Sequence, residues 1–498
     1  MKSCFKKNTY NKKKIFILFA ALVSVSYFAN LYYKTTTKKT YTKNQHLNTN
    51  NKNRNLSSLG AVLNLKVEKF VLNNGLTVLL CEDHSTPTLL TYVQWVKTGS
   101  SDEPSGQTGY AHFFEHLLFK GTENISSEEF EITTSVLGGS NNAFTNYDST
   151  VYHMNLSNVQ LEWAIKSESE RMKKLILFDP SKKSEAEALI NSERGAVTDE
   201  KIRGESSVSS LMFKSLLQNL YKGSGYSHSI IGSMEDLNKS TLQDFHDFYK
   251  KYYSPNNTVI AIGGDFDPSQ AKKWIYKYYD SIESSKINRL KFTKPDFVKA
   301  KDIDFKDIQK EKQLKNNKYK FKKVLQSQFI FAYPGVFITH KDKYAIDILM
   351  HILSGSTSSR LDKIIYVQKN LVSDIYAGNY PLNRVGAIYF GANILPKSSV
   401  KEVLDIIQQE IKNLQKNGVS KEELQIAINQ LQFLEVDEIK TVYKKTMNLI
   451  SAEVLEGDYN NFFTKLEKYN LVTASDVQRV AKKYLRLESR ILVKAIAK

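Results

Sequence analysis

Cysteine is nearly absent from this chain, which has two among its 498 residues. Cys4 lies in the basic N-terminal segment, so Cys81 is the one cysteine of the remaining sequence. A lone cysteine can neither form an intramolecular disulfide in the folded domains nor supply a cysteine cluster for zinc. Because Cys81 ends an apolar, strand-like run, we expect it to be a small buried side chain.

Acidic residues are missing from the first 55 positions, which hold twelve of the chain's 70 lysines and arginines. Subtracting these twelve charges from the net charge of +18 leaves +6 for everything downstream. A basic stripe interleaved with aromatic residues is also lacking. We therefore expect no nucleic-acid partner.

The N terminus combines basic residues up to Lys14 with an apolar run from Ile15 to Ala29. This order is typical of a secretory signal and predicts an exported protein, periplasmic or otherwise extracytoplasmic. Continuation of the run through Tyr33 approaches the roughly 20 residues that a membrane anchor needs. The sequence thus assigns residues 1–33 to a signal peptide or an N-terminal anchor and leaves both open.

The rest of the chain is too long for one core and divides into a tether and two folded halves. Residues 34–62 are rich in Thr, Lys and Asn, lack periodicity and predict a flexible tether. Residues 63–280 and 324–498 each run through strands, helices, further strands, further helices and a last strand. Residues 281–323 are rich in Lys and Asp and predict a linker. We expect an α+β fold of two related domains, each a mainly antiparallel sheet covered by helices.

The first half contains the motif His112-Phe-Phe-Glu115-His116 in a predicted helix. Residues four positions apart share one face of a helix, so His112 and His116 can offer two imidazoles to one ion. Glu115 follows His112 by almost one turn and can reach a water molecule at that ion. The surrounding Phe and Leu residues would keep bulk water out. The motif predicts metal-assisted hydrolysis with Glu115 as the general base.

A hydrolytic site with two histidines needs a third protein ligand, most often a carboxylate, and an open fourth position. The predicted helix 182–203 offers Glu193 and Glu200, which lie two turns apart and therefore on one face. The alternative is a closed, structural zinc site, for which His153 and His228 are the candidates as further ligands.

The two motifs together, H-x-x-E-H and then E-R-x-x-V-x-x-E at Glu193–Glu200, resemble the pitrilysin/insulinase family of zinc metallopeptidases. Three further segments resemble family segments in the same order: Gly138–Tyr152, Gly232–Leu237 and Tyr252–Asp265. The resemblance covers most of residues 64–280 and continues more weakly to the C terminus.

The resemblance implies one zinc ion per chain, bound by His112, His116 and the last glutamate of the second motif, Glu200. It implies that Glu115 is the general base and that Glu193 orients a ligand or the substrate. The family usually places its third ligand nearer to the histidine pair, which by spacing alone favours Glu193. An insertion in the polar stretch before Glu193 would account for the difference.

Asn142, Ala143 and Phe144 resemble the edge-strand segment on which this family lays its substrate. Binding by strand addition uses main-chain hydrogen bonds and tolerates many side chains. The resemblance therefore implies peptides or unfolded protein segments as substrates, and a zinc-dependent endopeptidase as the function. The alternatives are a catalytically silent assembly subunit and a membrane-anchored binding protein with structural zinc.

Many family members have an arginine and a tyrosine in the second half that contact the substrate opposite the zinc. The corresponding positions here hold Tyr366 and Ser373, whereas Arg360 and Tyr376 are expected to be structural. A zinc-bearing chain without that pair resembles the catalytic chain of two-chain members such as mitochondrial processing peptidase, in which four such domains form a clamp. We expect this chain to be half of such a clamp, completed by a second related chain or by self-association.

Overall fold

The computed structural model describes residues 63, 65–136, 138–289, 291–296, 298–315 and 322–497. It contains a six-stranded and a five-stranded sheet with helices packed on both. The predicted α+β fold of two related domains is confirmed. The predicted signal or anchor (1–33) and tether (34–62) lie outside the described residues. Within those residues, no helix has the length and apolar character needed to cross a membrane.

The first sheet contains β1 (Lys66–Val71), β2 (Thr77–Glu82), β3 (Leu89–Val96), β4 (Ser140–Thr145), β5 (Thr150–Ser157) and β6 (Thr258–Gly264). The helices of this half are α1 (Tyr110–Leu117), α2 (Ser127–Val136), α3 (Leu161–Lys173), α4 (Lys183–Gly204), α5 (Val208–Leu220), α6 (Met234–Lys239), α7 (Leu242–Tyr252) and α8 (Pro268–Tyr279). The strand order is β1-β2-β6-β3-β5-β4. β2 and β6 run parallel, and the other neighbours are antiparallel. β4 therefore forms one edge of the sheet.

The second sheet contains β7 (Lys301–Asp304), β8 (Gln328–Pro334), β9 (Val372–Pro381), β10 (Gly386–Ile394) and β11 (Ile491–Ala495). Its half contains α9 (Phe305–Lys315), α10 (Lys343–Ser354), a π-helical segment (Asp362–Gln368), α11 (Val400–Asn417), α12 (Lys421–Asp437), α13 (Val442–Glu456), α14 (Asn460–Asn470) and α15 (Ala474–Tyr484). The order β7-β11-β8-β10-β9 repeats β2-β6-β3-β5-β4 strand by strand. β7 and β11 are parallel, as β2 and β6 are. The two domains thus share one topology.

The predicted linker 281–323 contains β7 and α9, so the linker prediction is wrong for residues 301–315. β7 adds a parallel edge strand to the second sheet by pairing with β11. Ile303, within β7, and Phe305, which begins α9, are buried. With four residues, three of them charged, β7 has too few apolar positions to show a strand pattern in the sequence.

Each sheet is covered on one face by helices of its own domain and on the other by a helix of the other domain. α3 and α8 cover the first sheet, and α10, α11 and α15 cover the second. In exchange, α5 packs on β8 and β11, while α13 packs on β3 and β6. Gly263 permits the α13 contact because a Cβ atom there would lie 2.1 Å from Thr446 Oγ1. Cys81 lies buried under the same helix, as predicted, and burial raises the pKa of its thiol to about 12.

Candidate metal centre

Helix α1 is held by its apolar side, and this directs the motif side chains toward α4. Phe113 and Phe114 pack against the aromatic rings of α7, with ring centroids 4.7 and 5.9 Å from those of their partners. His112 and Glu115 are buried, whereas the His116 side chain is 23% exposed. The two imidazole rings lie 4.9 Å apart, as expected for residues four positions apart on a helix.

His112, His116 and Glu200 form the one group of His, Cys, Asp or Glu side chains, within the described parts of the chain, that could hold a metal ion. One ligand atom of each lies within 4.8 Å of the others. Glu200 Oε2 is 3.6 Å from His112 Nε2 and 3.4 Å from His116 Nε2. Two imidazole nitrogens and one carboxylate oxygen are a donor set that Zn²⁺ takes in hydrolytic sites. The residues therefore fit zinc.

The electrostatics of this cluster favour a cation beside Glu200. Burial opposes ionisation of Glu200, but hydrogen bonds to the two histidines and their charges hold the pKa of its carboxyl well below the usual range. Burial likewise opposes a charged His116, yet its contacts with Glu193 and Glu200 raise its pKa to about 10. The same attraction would favour a metal cation at this position.

Glu193 lies on the same helix as Glu200 but meets the other nitrogen of His116. Its Oε2 is 3.5 Å from His116 Nδ1, and its Oε1 is 2.5 Å from Lys120 Nζ. A carboxylate at the free nitrogen of a ligating histidine fixes the orientation of the ring. The structure thus places Glu193 beside the donor cluster rather than within it. The preceding stretch 183–191, in which the sequence places an insertion, is helical and forms the first part of α4.

The carboxylate of Glu115 is oriented by the edge strand of the first sheet. Thr145 Oγ1, at the end of β4, donates a 2.5 Å hydrogen bond to Glu115 Oε2. Thr150 Oγ1 lies 3.5 Å from Thr145 Oγ1 and donates to the Thr98 carbonyl at 3.0 Å. The sequence does not predict this role for Thr145, although the residue lies in one of the segments that resemble the family.

A second residue that sequence reasoning misses, Glu103, caps α1. Its two carboxylate oxygens accept hydrogen bonds from Gly109 N and Ala111 N, both at 2.7 Å. Gly109 has a φ of +93° and no side chain with which to cap the helix itself. Glu103 therefore supplies the acceptor that an N-cap side chain usually provides. Burial raises the pKa of its carboxyl well above the usual range, although the two N–H groups oppose the shift.

The segment Gly232–Leu237 connects the start of α1 with the end of α4. Gly232 has a φ of +73°, and a Cβ atom there would lie 2.1 Å from the Thr108 carbonyl oxygen. Asp236 Oδ2 accepts a hydrogen bond from Thr108 N at 3.0 Å. Lys201, next to Glu200, donates from Nζ to the Gly232 carbonyl at 2.6 Å. The family-like segment thus holds together the two helices that carry the donor cluster.

Asn142, Ala143 and Phe144 lie in β4, the outermost strand on this side of the sheet. Ala143 is buried against α1, on the same face of the strand as Thr145. Phe144 faces the other way and packs edge-on against Trp95, with ring centroids 6.5 Å apart. The structure therefore places the three predicted substrate-binding residues at a sheet edge that adjoins the helix with the metal motif.

His153 and His228, the candidates for a fourth ligand, lie elsewhere. The His153 ring lies 4.8 Å from that of Tyr443, and burial lowers its pKa to about 4. His228 Nδ1 lies 3.8 Å from Glu103 Oε2. Among the residues that the structure describes, the cluster offers three donor side chains. Three ligands are typical of a hydrolytic zinc site, in which the fourth position takes water or substrate.

In the second domain, Arg360 and Tyr376 have structural contacts, as expected. Arg360 forms a bidentate ion pair with Glu423, at 2.8 Å from Nε and 2.9 Å from Nη2. The Tyr376 ring packs directly on the neighbouring strand β10. Tyr366 lies in the π-helical segment and is 39% exposed, and Ser373 lies in β9.

Comparison with known proteins identifies the family. Residues 77–233 match the family described as "Insulinase (Peptidase family M16)", and residues 239–431 match "Peptidase M16 inactive domain". The chain is 25% identical to "Zinc protease PqqE" of Helicobacter pylori over 429 residues, which cover 84% of this chain and 90% of that protein. It is 27% identical over 220 residues to "Probable mitochondrial-processing peptidase subunit beta" of Schizosaccharomyces pombe, covering 44% and 46% of the two chains.

Among solved structures, "The crystal structure of a protease from Helicobacter pylori" superposes with a TM-score of 0.77 and 22% identity. The match covers 86% of this chain and 99% of that one, so the two-domain fold is shared over nearly the whole known structure. The two family matches follow each other along the chain, and the first contains the helix with the histidine motif. This protein belongs to the M16 peptidase family, the pitrilysin/insulinase family that its motifs resemble.

Proposed function

We propose that this protein is a zinc-dependent endopeptidase that hydrolyses peptides or unfolded protein segments. The observation that carries the proposal is the donor cluster of His112, His116 and Glu200 beside Glu115, whose carboxylate is already oriented by Thr145. Relatives that are named zinc proteases support it. A structural zinc site would need a fourth protein ligand, and the described residues supply three.

His112, His116 and Glu200 would hold one zinc ion. Bound zinc supplies Lewis acidity, which lowers the pKa of water to about 7 and polarises a carbonyl group. Glu115 acts as the general base and takes the proton of the attacking water at Oε1, because Oε2 is held by Thr145. The same oxygen then returns the proton to the leaving amine. Glu193 keeps the His116 ring in position through Nδ1.

The substrate is proposed to bind as an added strand on β4, at Asn142, Ala143 and Phe144. An edge strand offers main-chain hydrogen bonds to any extended chain and few contacts that depend on its side chains. Because Thr145 ends this strand and contacts Glu115, a peptide on β4 runs beside the proposed general base. This arrangement selects unfolded or short chains, since a folded protein has no free strand to offer.

We also propose that a second related chain, or a second copy of this one, completes the enzyme. Tyr366 and Ser373 stand where many family members have their substrate-contacting arginine and tyrosine. A relative whose name describes it as a subunit supports a multi-chain assembly. The proposed location is extracytoplasmic, on the basis of the basic and apolar segment at residues 1–33.

The test is cleavage of an unstructured quenched peptide by the purified chain, with and without a chelator. Glu115→Gln should abolish turnover and keep bound zinc, because the amide cannot accept the proton. Glu187→Gln, an exposed change on α4, serves as the matched control and should leave turnover intact. Cleavage that survives Glu115→Gln or chelation would refute the proposed mechanism.

Two other outcomes separate the alternatives. Bound zinc without turnover would refute activity of the isolated chain and direct the search to a partner chain. Failure to bind zinc at all would favour the catalytically silent assembly subunit. Comparable cleavage of a folded protein and its unfolded form would contradict substrate binding by strand addition.

A further inference from the structure

We infer that the tip of the β9–β10 hairpin, in the second domain, positions the proposed catalytic site of the first domain. The tip spans residues 382–385 and is closed by a 2.8 Å hydrogen bond from Leu382 N to the Val385 carbonyl. It reaches two acidic residues of the first domain, Asp102 and Asp148. The inference deepens the proposed function, and its kinetic part rests on that function.

Two contacts join the hairpin tip to the first domain. Arg384 Nη2 lies 3.3 Å from Asp102 Oδ1, and Asn383 N donates to Asp148 Oδ2 at 3.1 Å. Asp102 is 2% exposed, and the other oxygen of Asp148 accepts a hydrogen bond from the Tyr226 hydroxyl. Hydrogen bonds to carboxylates are stronger than those between neutral groups, so the two contacts favour one position of each acidic residue.

The first contact leads to the start of α1. Asp102 precedes Glu103, whose carboxylate holds Gly109 N and Ala111 N at 2.7 Å. Ala111 is followed by His112, the first residue of the metal motif. A displacement of Asp102 would therefore be passed through one peptide unit and two short hydrogen bonds to the first turn of α1.

The second contact leads to the residue that orients Glu115. Asp148 lies in the β4–β5 turn. Within this turn, Asn146 Oδ1 accepts hydrogen bonds from Asp148 N and Ser149 N, both at 2.8 Å. Thr145, which donates to Glu115, precedes this turn directly. Ser100 N also donates to the Asn146 carbonyl at 3.1 Å, so the two supports of the site are bonded to each other.

These contacts give the second domain a role in the site even though it supplies none of the three clustered ligands. Proton transfer and carbonyl attack require placement of groups to well under 1 Å, and a misplacement of about 1 Å costs roughly 100-fold in rate. The hairpin tip holds both the helix with the metal motif and the strand that orients the general base. Arg384 and Asp148 are therefore positioning residues.

The structure provides clean variants for a test. Asp102 also pairs with Arg289, at 3.1 Å, so Arg384→Gln removes the contact between domains without leaving Asp102 unpaired. Asp148→Ala removes both accepting oxygens, so the turn loses its contact with Asn383 N as well as that with the Tyr226 hydroxyl. Arg360→Gln is the matched control, because it breaks an ion pair of the second domain that lies within that domain.

The experiment compares kcat and KM on an unstructured peptide, thermal stability, and amide hydrogen exchange of residues 104–114 in the full-length protein. We expect Arg384→Gln and Asp148→Ala to lower kcat by about tenfold with KM changed by less than about twofold. The amides of Gly109 and Ala111 should exchange faster in both variants. Arg384→Lys should restore most of kcat, and Arg360→Gln should change neither kcat nor this exchange.

Unchanged kcat and unchanged exchange in Arg384→Gln would overturn the inference, even if thermal stability fell. An equal loss of kcat in Arg360→Gln would overturn it as well, because the effect would then be general destabilisation. If the isolated wild-type chain cleaves nothing, kcat cannot be compared, and the exchange measurement decides alone. Faster exchange of residues 104–114 then supports positioning by the hairpin, and unchanged exchange refutes it.

Discussion

The hydrogen bond from Thr145 to Glu115 offers a direct test of how the proposed general base is oriented. Thr145→Val replaces the hydroxyl by a methyl group of similar size and removes the donor. Both side chains are buried, and the bond is 2.5 Å long. The variant therefore leaves the packing between β4 and α1 nearly unchanged and frees the carboxylate to rotate.

The size of the effect follows from the kind of bond. A hydrogen bond to a charged group contributes about 1.5–3 kcal/mol. If that contribution orients Glu115 for proton transfer, its loss raises the activation barrier by the same amount. We therefore expect kcat to fall about 10- to 100-fold. KM should change little, because the Thr145 side chain faces α1 rather than the open edge of β4.

The assay is steady-state cleavage of the quenched peptide, with zinc content measured on the same samples. Thr145→Ser keeps the donor and should retain most of the activity. Thr134→Val is the control for loss of a buried threonine hydroxyl, since Thr134 bonds to a carbonyl of its own helix α2. It should leave kcat unchanged.

Two results would refute this account of Thr145. One is a Thr145→Val variant that keeps wild-type kcat with a full complement of zinc. The other is equal loss of activity in the Val and Ser variants, because the Ser variant retains the hydroxyl. Loss of zinc in Thr145→Val would show instead that the residue supports the metal ligands.

Three further predictions concern the ligand assignment, a buried carboxylate and the contact between domains. Glu200→Gln should abolish stoichiometric zinc binding, while Glu193→Gln should weaken zinc binding about 10- to 100-fold. Metal analysis after dialysis measures both effects, and the reverse order would make Glu193 the third ligand. Burial opposes ionisation of Asp342, but hydrogen bonds from three side chains of α15 lower its pKa from 3.8 to about 2. This stabilisation is complete above about pH 4 and is lost as the pH falls to about 2. The free energies of unfolding in urea of the wild type and Asp342→Asn should therefore converge over that range. A difference that stays constant with pH would contradict the prediction. Gly263→Ala should destabilise the fold by about 1–3 kcal/mol through overlap with Thr446 Oγ1, and less when Thr446→Ala is also present; equal loss in both backgrounds would argue against this contact.

Much of the fold could be predicted because it depends on local patterns. The helix predicted over residues 182–203, for example, is α4, which spans Lys183–Gly204. Short elements cannot be predicted from apolar periodicity. α6 has six residues with one buried side chain, Leu237, and β7 has four residues. Too few apolar positions remain in such elements to distinguish them from surface loops.

The paired histidines could also be predicted, because their relation lies within one helix. His112 and His116 share a face through helix geometry alone, whatever the rest of the protein does. Glu193 and Glu200 likewise share a face of α4, and for that reason helix geometry could not rank them. The packing of α4 against α1 separates them, since Glu200 lies within 3.6 Å of both Nε2 atoms and Glu193 meets only Nδ1 of His116.

The amino-acid sequence by itself determined the family, the two-domain α+β class and the residues of the H-x-x-E-H helix. Each of these follows from patterns among residues that lie close together in the sequence. Only the tertiary structure decided what surrounds that helix. Thr145 on Glu115 and Arg384 on Asp102 are contacts between segments distant in sequence, and Glu103 reaches Ala111 across an irregular stretch without a periodic pattern. Single polar side chains carry no periodic signal, so their partners become known only once sheets and helices have packed.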